Sequence, residues 1–300
     1  MSIEVKNVTK IYGEQKALDN ISFKVEPGHI VGFLGPNGAG KSTMMKIITC
    51  FIPQTFGEVS VCGFDVIENP IEVKRNVGYL PEHNPLYLDM YVKEYLDFVG
   101  GVYKVENRRA RVKEMIDMVG LEIEQNKKIG ALSKGYRQRV GLAQAMIHDP
   151  KVLILDEPTT GLDPNQLEEI RGLIKTIGKE KTIMLSTHIM QEVEAICDKT
   201  IIINHGVIVA DDKTQDLQQQ QKNQIILTVE FDKTVEVNVL KNISGVIQVK
   251  KAQDNTWLFE IDKDAARNNI FQFAVARDLV VLTMQKETQS LEAVFKKLTN

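Results

Sequence analysis

Residues 35–43 have the sequence Gly35-Pro36-Asn37-Gly38-Ala39-Gly40-Lys41-Ser42-Thr43, directly after the apolar run Ile30–Leu34. The apolar run predicts a buried strand, and a helix is predicted to begin near Lys41. Glycines between a strand and a helix let successive backbone N–H groups point inward, where they bind phosphate oxygens. The N-terminus of the helix adds a favourable dipole. The stretch therefore predicts a phosphate-binding loop, in which Lys41 reaches the β- and γ-phosphates of a nucleotide and Ser42 offers its hydroxyl to Mg²⁺.

A second stretch, from Val152 to Glu157, places acidic side chains after an apolar run. The apolar residues predict a buried strand, and Asp156 and Glu157 follow at its carboxyl end. Two carboxylates at that position are costly unless they meet a cation. Asp156 is therefore predicted to hold Mg²⁺ through water, and Glu157 to polarise the water that attacks the nucleotide. A positioned general base raises a rate by roughly 10²–10⁴-fold.

The composition of the whole chain is that of an ordinary globular protein, with 300 residues of which 43% are hydrophobic and 26% charged. This length predicts about two domains. The net charge of −3 argues against a nucleic-acid binder, which normally carries a strong basic excess. No apolar run approaches the roughly 18–20 residues of a membrane helix, so we expect any membrane role to come through a partner. Three cysteines without metal-ligand spacing fit a reducing cytosol.

The order of predicted elements indicates an α/β core with an insertion. Apolar runs at Val152–Leu155 and Thr182–Ser186 are typical of buried parallel strands, and they alternate with helical patterns. Between Met90 and His148 the apolar residues follow a helical period, which predicts a mainly helical subdomain over about residues 88–148. The polar, glutamine-rich run Gln215–Gln224 predicts a domain boundary.

The boundary separates a first domain, residues 1–215, from a smaller domain, residues 225–300, with a linker at residues 216–224. Strands and helices in the second domain are predicted in the order β-α-β-β-α-β, which is typical of a ferredoxin-like α+β fold. The predicted strands are Ile225–Phe231, Val246–Lys250, Trp257–Ile261 and Leu279–Met284, and the predicted helices are Val235–Ile243 and Ala265–Arg277. A last helix is predicted from Ser290 to Leu298.

Further motifs narrow the class of protein. Leu132–Arg139 resembles the signature motif of ATP-binding-cassette (ABC) ATPases, Thr160–Asp163 resembles their D-loop, and His188 resembles their switch histidine. Tyr12 stands where that family stacks an aromatic ring on adenine. All the motifs occur in the family's order, and the resemblance covers about residues 1–215. It implies a P-loop NTPase fold with a RecA-like core, an antiparallel β subdomain and a helical subdomain, and it implies ATP hydrolysis.

Together with the two stretches above, the resemblance assigns the site residues. It implies a head-to-tail dimer in which Ser133 and Gly135 of one subunit face the γ-phosphate held by Lys41 of the other. Ser133 is expected to cap the helix that follows it, aiming the helix N-terminus at the anion. The residues assigned to catalysis are Lys41, Glu157 and His188, and those assigned to Mg²⁺ are Ser42, Asp156 and Glu82. The residues assigned to the nucleotide are Tyr12, Gly35, Asn37, Gly38, Ala39, Gly40, Lys41, Ser42, Thr43, Ser133, Gly135 and Asp163.

Two motifs depart from the family's pattern. Glu82 follows Tyr79-Leu80-Pro81, where the family usually has glutamine. A carboxylate there can still bind Mg²⁺ or water, although it adds negative charge near the phosphates. The signature motif has Lys134 and Tyr136 where glycine and glutamine are commonest. A cationic Lys134 is electrostatically compatible with nearby ATP, whereas Tyr136 leaves the role of the glutamine unfilled.

Within the family, the single cassette and the C-terminal extension resemble the ATPase subunits of ABC-2-type exporters, which often end in a stretch similar to Ser290–Phe295. The run Gly78–Val92 resembles the ATPase subunit of the gliding-motility-associated ABC transporter of bacteria. This resemblance implies a subunit on the cytoplasmic face of the inner membrane that drives a separate permease. It also implies pairing with an identical or a paralogous cassette, and no nucleic-acid partner.

Two other hypotheses fit the same motifs. A soluble ABC ATPase that acts on ribosomes or DNA would need no permease, but such proteins generally carry two cassettes or a long coiled-coil insertion. A nucleotide-gated regulator with negligible turnover is disfavoured by Glu157 and left open by Glu82. The apolar cluster Pro85–Leu88 is either a contact for a partner helix or a small satellite core beneath the insertion.

Overall fold

The computed structural model describes residues 1–219 and 225–287, so the helix predicted at Ser290–Leu298 lies outside the described residues. Up to residue 219 the strands are β1 (Ile3–Tyr12), β2 (Gln15–Val25), β3 (Ile30–Leu34), β4 (Phe56–Val61), β5 (Phe64–Asp65), β6 (Val77–Leu80), β7 (Val152–Asp156), β8 (Thr182–Thr187), β9 (Lys199–Asn204) and β10 (Val207–Lys213). The helices are α1 (Lys41–Ile48), α2 (Pro70–Asn76), α3 (Val92–Val102), α4 (Arg108–Val119), α5 (Lys134–Met146), α6 (Pro164–Gly178), α7 (Met190–Ile196) and α8 (Thr214–Gln219), with a 3₁₀ turn at Ile129–Ala131.

The chain divides into two compact units, Met1–Thr214 and Gln215–Asn300. The first part of the predicted linker, residues 216–219, is helical and belongs to α8. Leu217 within it is buried, a contact that the polar composition of the segment obscures. Among the residues that the structure describes, every helix is too short or too polar to span a bilayer.

The first unit contains the predicted α/β core. Its six-stranded sheet has the order β10-β9-β3-β8-β7-β6, and all neighbours are parallel except the edge pair β9 and β10. Strands β3, β7 and β8 are buried along their whole length, as their continuous apolar runs predict. Because parallel strands end at the same edge of a sheet, the loops after β3, β7 and β8 meet there.

A four-stranded antiparallel sheet of order β2-β1-β4-β5 lies in the same unit. One cluster of buried side chains joins this sheet, helix α1 and the strands β3, β7, β8 and β9. Strand β1 extends beyond the predicted Ile3–Val8 because its pairing with β2 continues, through register shifts, as far as the Tyr12–Gln15 pair. That extension places Tyr12 at the end of a tight hairpin.

The insertion consists of α3, α4 and α5, as the helical period predicts. Helix α4 buries Val112, Met115, Ile116 and Val119, which lie three to four residues apart on one face. Helix α5 carries most of the signature motif and packs on α3, α4 and β6. The insertion thus positions the signature motif on a helical layer attached to the core sheet.

The second unit has β11 (Ile225–Phe231), α9 (Val237–Leu240), β12 (Val246–Gln253), β13 (Thr256–Ile261), α10 (Ala266–Ala276) and β14 (Val281–Glu287). Its sheet is antiparallel with the order β12-β13-β11-β14, so the predicted β-α-β-β-α-β arrangement is confirmed. Phe231, Trp257, Phe259 and Ile270 lie in its core. Helix α9 is one turn long and shorter than predicted, since valines recur through that segment and β-branched residues have reduced helix propensity.

Candidate functional site

The loop after β3 is held in a shape that requires glycine. Gly38 and Gly40 have φ angles of 81° and 108°, which side chains with L chirality rarely adopt. A Cβ on Gly40 would also lie 2.6 Å from the carbonyl oxygen of Ala17. Helix α1 begins at Lys41, and its N-cap is Gly40, which has no side chain to occupy the first N–H groups. Those groups are available to an anion, as the sequence predicts.

Lys41, the first residue of α1, is buried. Its ammonium donates hydrogen bonds to the carbonyl oxygens of Gly35 at 2.8 Å and Pro36 at 3.2 Å. It also lies 3.5 Å from Oε1 of Glu157, with 5% of the Lys41 side chain and 7% of the Glu157 side chain exposed. In a buried ion pair of this kind, the cost of desolvating the two charges offsets most of their attraction. Lys41 therefore remains available to a stronger anionic partner such as phosphate.

Asp156 at the end of β7 contacts two hydroxyl groups. Ser42 Oγ lies 3.2 Å from its Oδ1, and the Ser186 hydroxyl donates to the same oxygen at 2.5 Å. Ser186 also accepts a hydrogen bond from the backbone N–H of Glu157 at 3.0 Å, so it holds both acidic residues. Oxygen donors of this type fit Mg²⁺, which is bound through one or two carboxylates together with substrate phosphates.

Glu157 is held in a strained and well-defined position. Its φ of 49° lies in the left-handed region, which costs a residue other than glycine about 1–3 kcal/mol. Its Oε2 lies 2.9 Å from Nδ1 of His188 and accepts a hydrogen bond from the Thr160 hydroxyl at 3.0 Å. The carboxylate is therefore oriented from two sides, as a general base must be.

Lys41, Ser42, Glu157, Thr160 and His188 line one cavity of about 510 Å³, and the buried Asp156 contacts Ser42 without lining that cavity. It brings together most of the predicted nucleotide residues and all three catalytic candidates: Tyr12, Asn37, Gly38, Gly40, Lys41, Ser42, Thr43, Glu82, Glu157 and His188. Tyr12 lies with 48% of its surface exposed, as a ring that stacks on a base requires. Gly35 and Ala39, two of the predicted nucleotide residues, do not line it; Ala39 is buried in the core cluster.

Glu82 lines the same cavity with an exposed side chain. Burial raises the pKa of the nearby Tyr79 hydroxyl, and the negative charges of Asp156 and Glu82 raise it further. The carboxylates of Asp156 and Glu82 thus both lie close enough to Tyr79 to act on its hydroxyl.

The signature residues form a separate cavity of about 270 Å³, which contains Ser133, Gly135 and Asp163. The Ser133 hydroxyl accepts from the backbone N–H of Tyr136 at 3.4 Å, which confirms the predicted cap of α5. Asp163 caps α6 by accepting from the N–H of Gln166 at 2.9 Å. A Cβ on Gly135 would lie 2.7 Å from Gln166, so glycine permits this close packing. Within one chain these residues do not line the cavity of Lys41, as a head-to-tail dimer requires.

Some functional contacts have no counterpart in the sequence analysis. Ser186 holds Asp156 and Glu157, and Thr160 orients the Glu157 carboxylate. Ser186 directly precedes the Thr187-His188 pair, and Thr160 is the first residue of the D-loop. Their positions next to recognised motifs are the signal that could have found them, but the contacts depend on β7 lying beside β8.

A buried, oriented carboxylate beside a phosphate-binding loop is the arrangement that cleaves nucleoside triphosphates, so the fold and the site define a P-loop nucleoside triphosphatase. Comparison with known proteins narrows this class. Residues 18–160 match the ABC transporter family, and residues 213–299 match the C-terminal domain of DrrA1-3-like ATP-binding proteins. The chain belongs to the family of ABC transporter ATP-binding proteins, whose cassettes bind and hydrolyse ATP.

Individual relatives agree with this placement. The chain is 32% identical over 301 residues to the uncharacterized ABC transporter ATP-binding protein YxlF of Bacillus subtilis, and the match covers 99% of each chain. It is 37% identical over 211 residues to the bacitracin transport ATP-binding protein BcrA of Bacillus licheniformis, with 70% of this chain and 69% of that protein covered. A solved dimeric cassette in a post-hydrolysis state with ADP and Pi has a TM-score of 0.65 and 29% identity, covering 70% of this chain and 98% of that one.

Proposed function

We propose that this chain is the ATP-hydrolysing subunit of an ABC-2-type exporter and that it drives a separate membrane permease. The observation that carries the proposal is a groove of about 370 Å³ between the helical insertion and the core. We call it the insertion groove; it is lined by Lys46, Thr49, Phe51, Lys74, Val77, Tyr79, Pro81, His83, Pro85, Tyr103, Gln144, Ala145 and His148. Pro81 and His83 flank Glu82, which lines the nucleotide cavity. A partner in this groove would therefore contact the loop that carries Glu82.

The chemistry of the insertion groove fits an amphipathic helix of a permease. Phe51 has 71% of its surface exposed, and Tyr103 stacks on His148 with ring centroids 3.9 Å apart. Burial lowers the pKa of His148 to about 4, so this side chain is neutral at physiological pH. The groove is therefore largely apolar, while the exposed ammonium groups of Lys46 and Lys74 stand at its rim and would pair with acidic residues of a partner.

The neighbouring segment Pro85–Leu88 has a buried part and an exposed apolar part. Leu86 is buried, and Tyr87 packs against Tyr95 and Phe98 with centroids 5.8 Å from each, as in a satellite core. Tyr87 and Leu88 nevertheless keep 55% and 50% of their surface exposed. This exposed part extends the apolar surface next to the insertion groove.

The residues of the nucleotide cavity have distinct proposed roles. Lys41 and the N–H groups of the loop bind the phosphates, Glu157 takes the proton of the attacking water, and His188 holds Glu157 in place. Ser42 and Asp156 are the ligands proposed for Mg²⁺, with Glu82 at the same edge of the cavity. Mg²⁺, when bound, neutralises negative charge on the phosphate oxygens. Ser133 and Gly135 of a second cassette, identical or paralogous, would complete the site.

Further support comes from the relatives. One of them is named for bacitracin transport, and the C-terminal match is to DrrA1-3-like proteins, which favours an exporter over an ATPase of ribosomes or nucleic acid. The resemblance of Gly78–Val92 to the gliding-motility-associated subunit motivates the narrower proposal of a link to gliding. In such a complex this chain would lie at the cytoplasmic face of the inner membrane, attached through its permease.

The proposal is tested by affinity purification of tagged Glu157→Gln with MgATP from gently solubilised membranes of the source cell. We expect one multi-span membrane protein in near-stoichiometric amount, identified by mass spectrometry. The matched variant Glu157→Gln/Phe51→Asp changes an exposed residue of the insertion groove and should lose that protein. Recovery of ribosomes or nucleic-acid machinery without a membrane protein would establish the alternative, a soluble ABC ATPase.

A further inference from the structure

A second buried glutamate lies behind the catalytic site. Glu192 on α7 has 1% of its surface exposed. Its Oε2 accepts a hydrogen bond from the hydroxyl of Thr187 at 2.6 Å, and its Oε1 accepts one from the hydroxyl of Thr159. Both threonines are themselves buried, so all three groups are shielded from solvent.

The side-chain donors that the structure shows for the buried carboxylate of Glu192 are both hydroxyl groups. Within residues 1–219 and 225–287, no lysine, arginine or histidine forms an ion pair with Glu192. A buried carboxylate is costly unless it is hydrogen-bonded, and bonds to a charged acceptor are about twice as strong as neutral ones. The positions of the two threonine hydroxyls are therefore fixed tightly by Glu192.

The hydrogen bonds also fix the backbone on both sides of His188. A threonine hydroxyl has one hydrogen and can still accept through its oxygen. Because Thr187 gives that hydrogen to Glu192, its oxygen accepts from the backbone N–H of Ile189 at 3.0 Å. Thr187 and Ile189 flank His188, so the loop that carries the histidine is bonded on both sides of it.

Thr159 belongs to the loop after β7, and Thr187 ends β8 directly before the loop of His188; the side chains of these two loops meet in the nucleotide cavity. Thr159 lies two residues after Glu157, and Thr187 lies one residue before His188. Glu157 and His188 contact each other at 2.9 Å on the cavity side, whereas Glu192 joins the same two loops from the buried side. A misplacement of about 1 Å in a catalytic group can cost about 10²-fold in rate.

We propose that Glu192 is a positioning residue for ATP hydrolysis, which sets the spacing between the Glu157 loop and the His188 loop through Thr159 and Thr187. The proposal rests on the roles proposed for Glu157 and His188. Glu192 itself does not line the nucleotide cavity and acts through the two loops.

The test is steady-state ATPase kinetics of the purified full chain. For Glu192→Ala we expect kcat to fall about 10²-fold. The KM for ATP should change less than about threefold, because Lys41 and its loop are untouched. Glu192→Gln has the same shape and can still accept from one threonine and donate to the other, so it should recover most of kcat. The exposed neighbour on the same helix provides the control, Gln191→Ala, which should match the unmodified chain.

Two further variants keep the proposal testable if Glu192→Ala does not fold. Thr159→Val and Thr187→Val each remove one hydroxyl at constant volume, and each should lower kcat. Their effects should be less than additive in the double variant, since either one breaks the link. The proposal is overturned if the single variants keep full kcat, or if kcat and KM worsen together without rescue by glutamine. Glu157→Gln in the same assay tests the catalytic base separately, because normal turnover there would overturn the role of Glu157 whatever Glu192 does.

Discussion

The ammonium of Lys41 lies 3.5 Å from Oε1 of Glu157, and both side chains are buried. The cation proposed to bind phosphate and the proposed base are thus a direct ion pair within the nucleotide cavity. A phosphate that approaches Lys41 competes with Glu157 for its positive charge. The carboxylate would then be left with His188 and Thr160 as partners, which is the arrangement that lets it take a proton from water. Substitution of Glu157 should therefore separate hydrolysis from binding, because it leaves Lys41 in place.

Glu157→Gln should retain ATP binding and lower kcat by about 10²–10⁴-fold, because the amide keeps the shape but cannot accept the proton of water. Binding is measured by nucleotide titration, and turnover by release of phosphate. Size-exclusion chromatography with MgATP should show the variant as a dimer. Normal turnover would mean that another group is the base.

Lys41→Ala should weaken ATP binding and abolish turnover. The change removes the cation that reaches the phosphates, and it also leaves the buried Glu157 without its ammonium partner. Lys175→Ala, which removes an exposed ammonium on α6, is the control for loss of one positive charge. A Lys41→Ala protein with full ATPase activity would show that the phosphate loop has been assigned wrongly.

Glu82→Gln should preserve or raise the ATPase activity. The exposed Glu82 adds negative charge to a cavity that Glu157 also lines, and removing it reduces the repulsion toward phosphates. The KM for ATP is expected to fall or stay constant when measured at fixed Mg²⁺ and ionic strength. A collapse of kcat would instead show that the carboxylate has a role of its own at the metal.

Elements formed by neighbouring residues could be predicted from the sequence, whereas contacts between residues that are distant in the sequence could not. Strand β3 and the start of α1 at Lys41 coincide with prediction, because a strand, a glycine loop and a helix are adjacent in the chain. The contact between Glu157 and His188 exists because β7 pairs with β8, a pairing that joins residues about thirty positions apart. The Thr159–Glu192–Thr187 bonds depend on the same pairing and on α7 packing behind it. Neither hydroxyl periodicity nor charge pattern signals them.

The pH dependence of stability should report on His148. Burial lowers its pKa to about 4, below the value of about 6.5 in an unfolded chain. Between these values the unfolded state binds a proton that the folded state does not, so stability present above pH ~6.5 is lost as the pH falls toward ~4.

His148→Phe keeps a ring to stack on Tyr103 and removes the proton, so its free energy of unfolding should fall less steeply between pH ~7 and ~5. Urea denaturation at several pH values measures both slopes. Equal slopes for the unmodified chain and His148→Phe would contradict the lowered pKa.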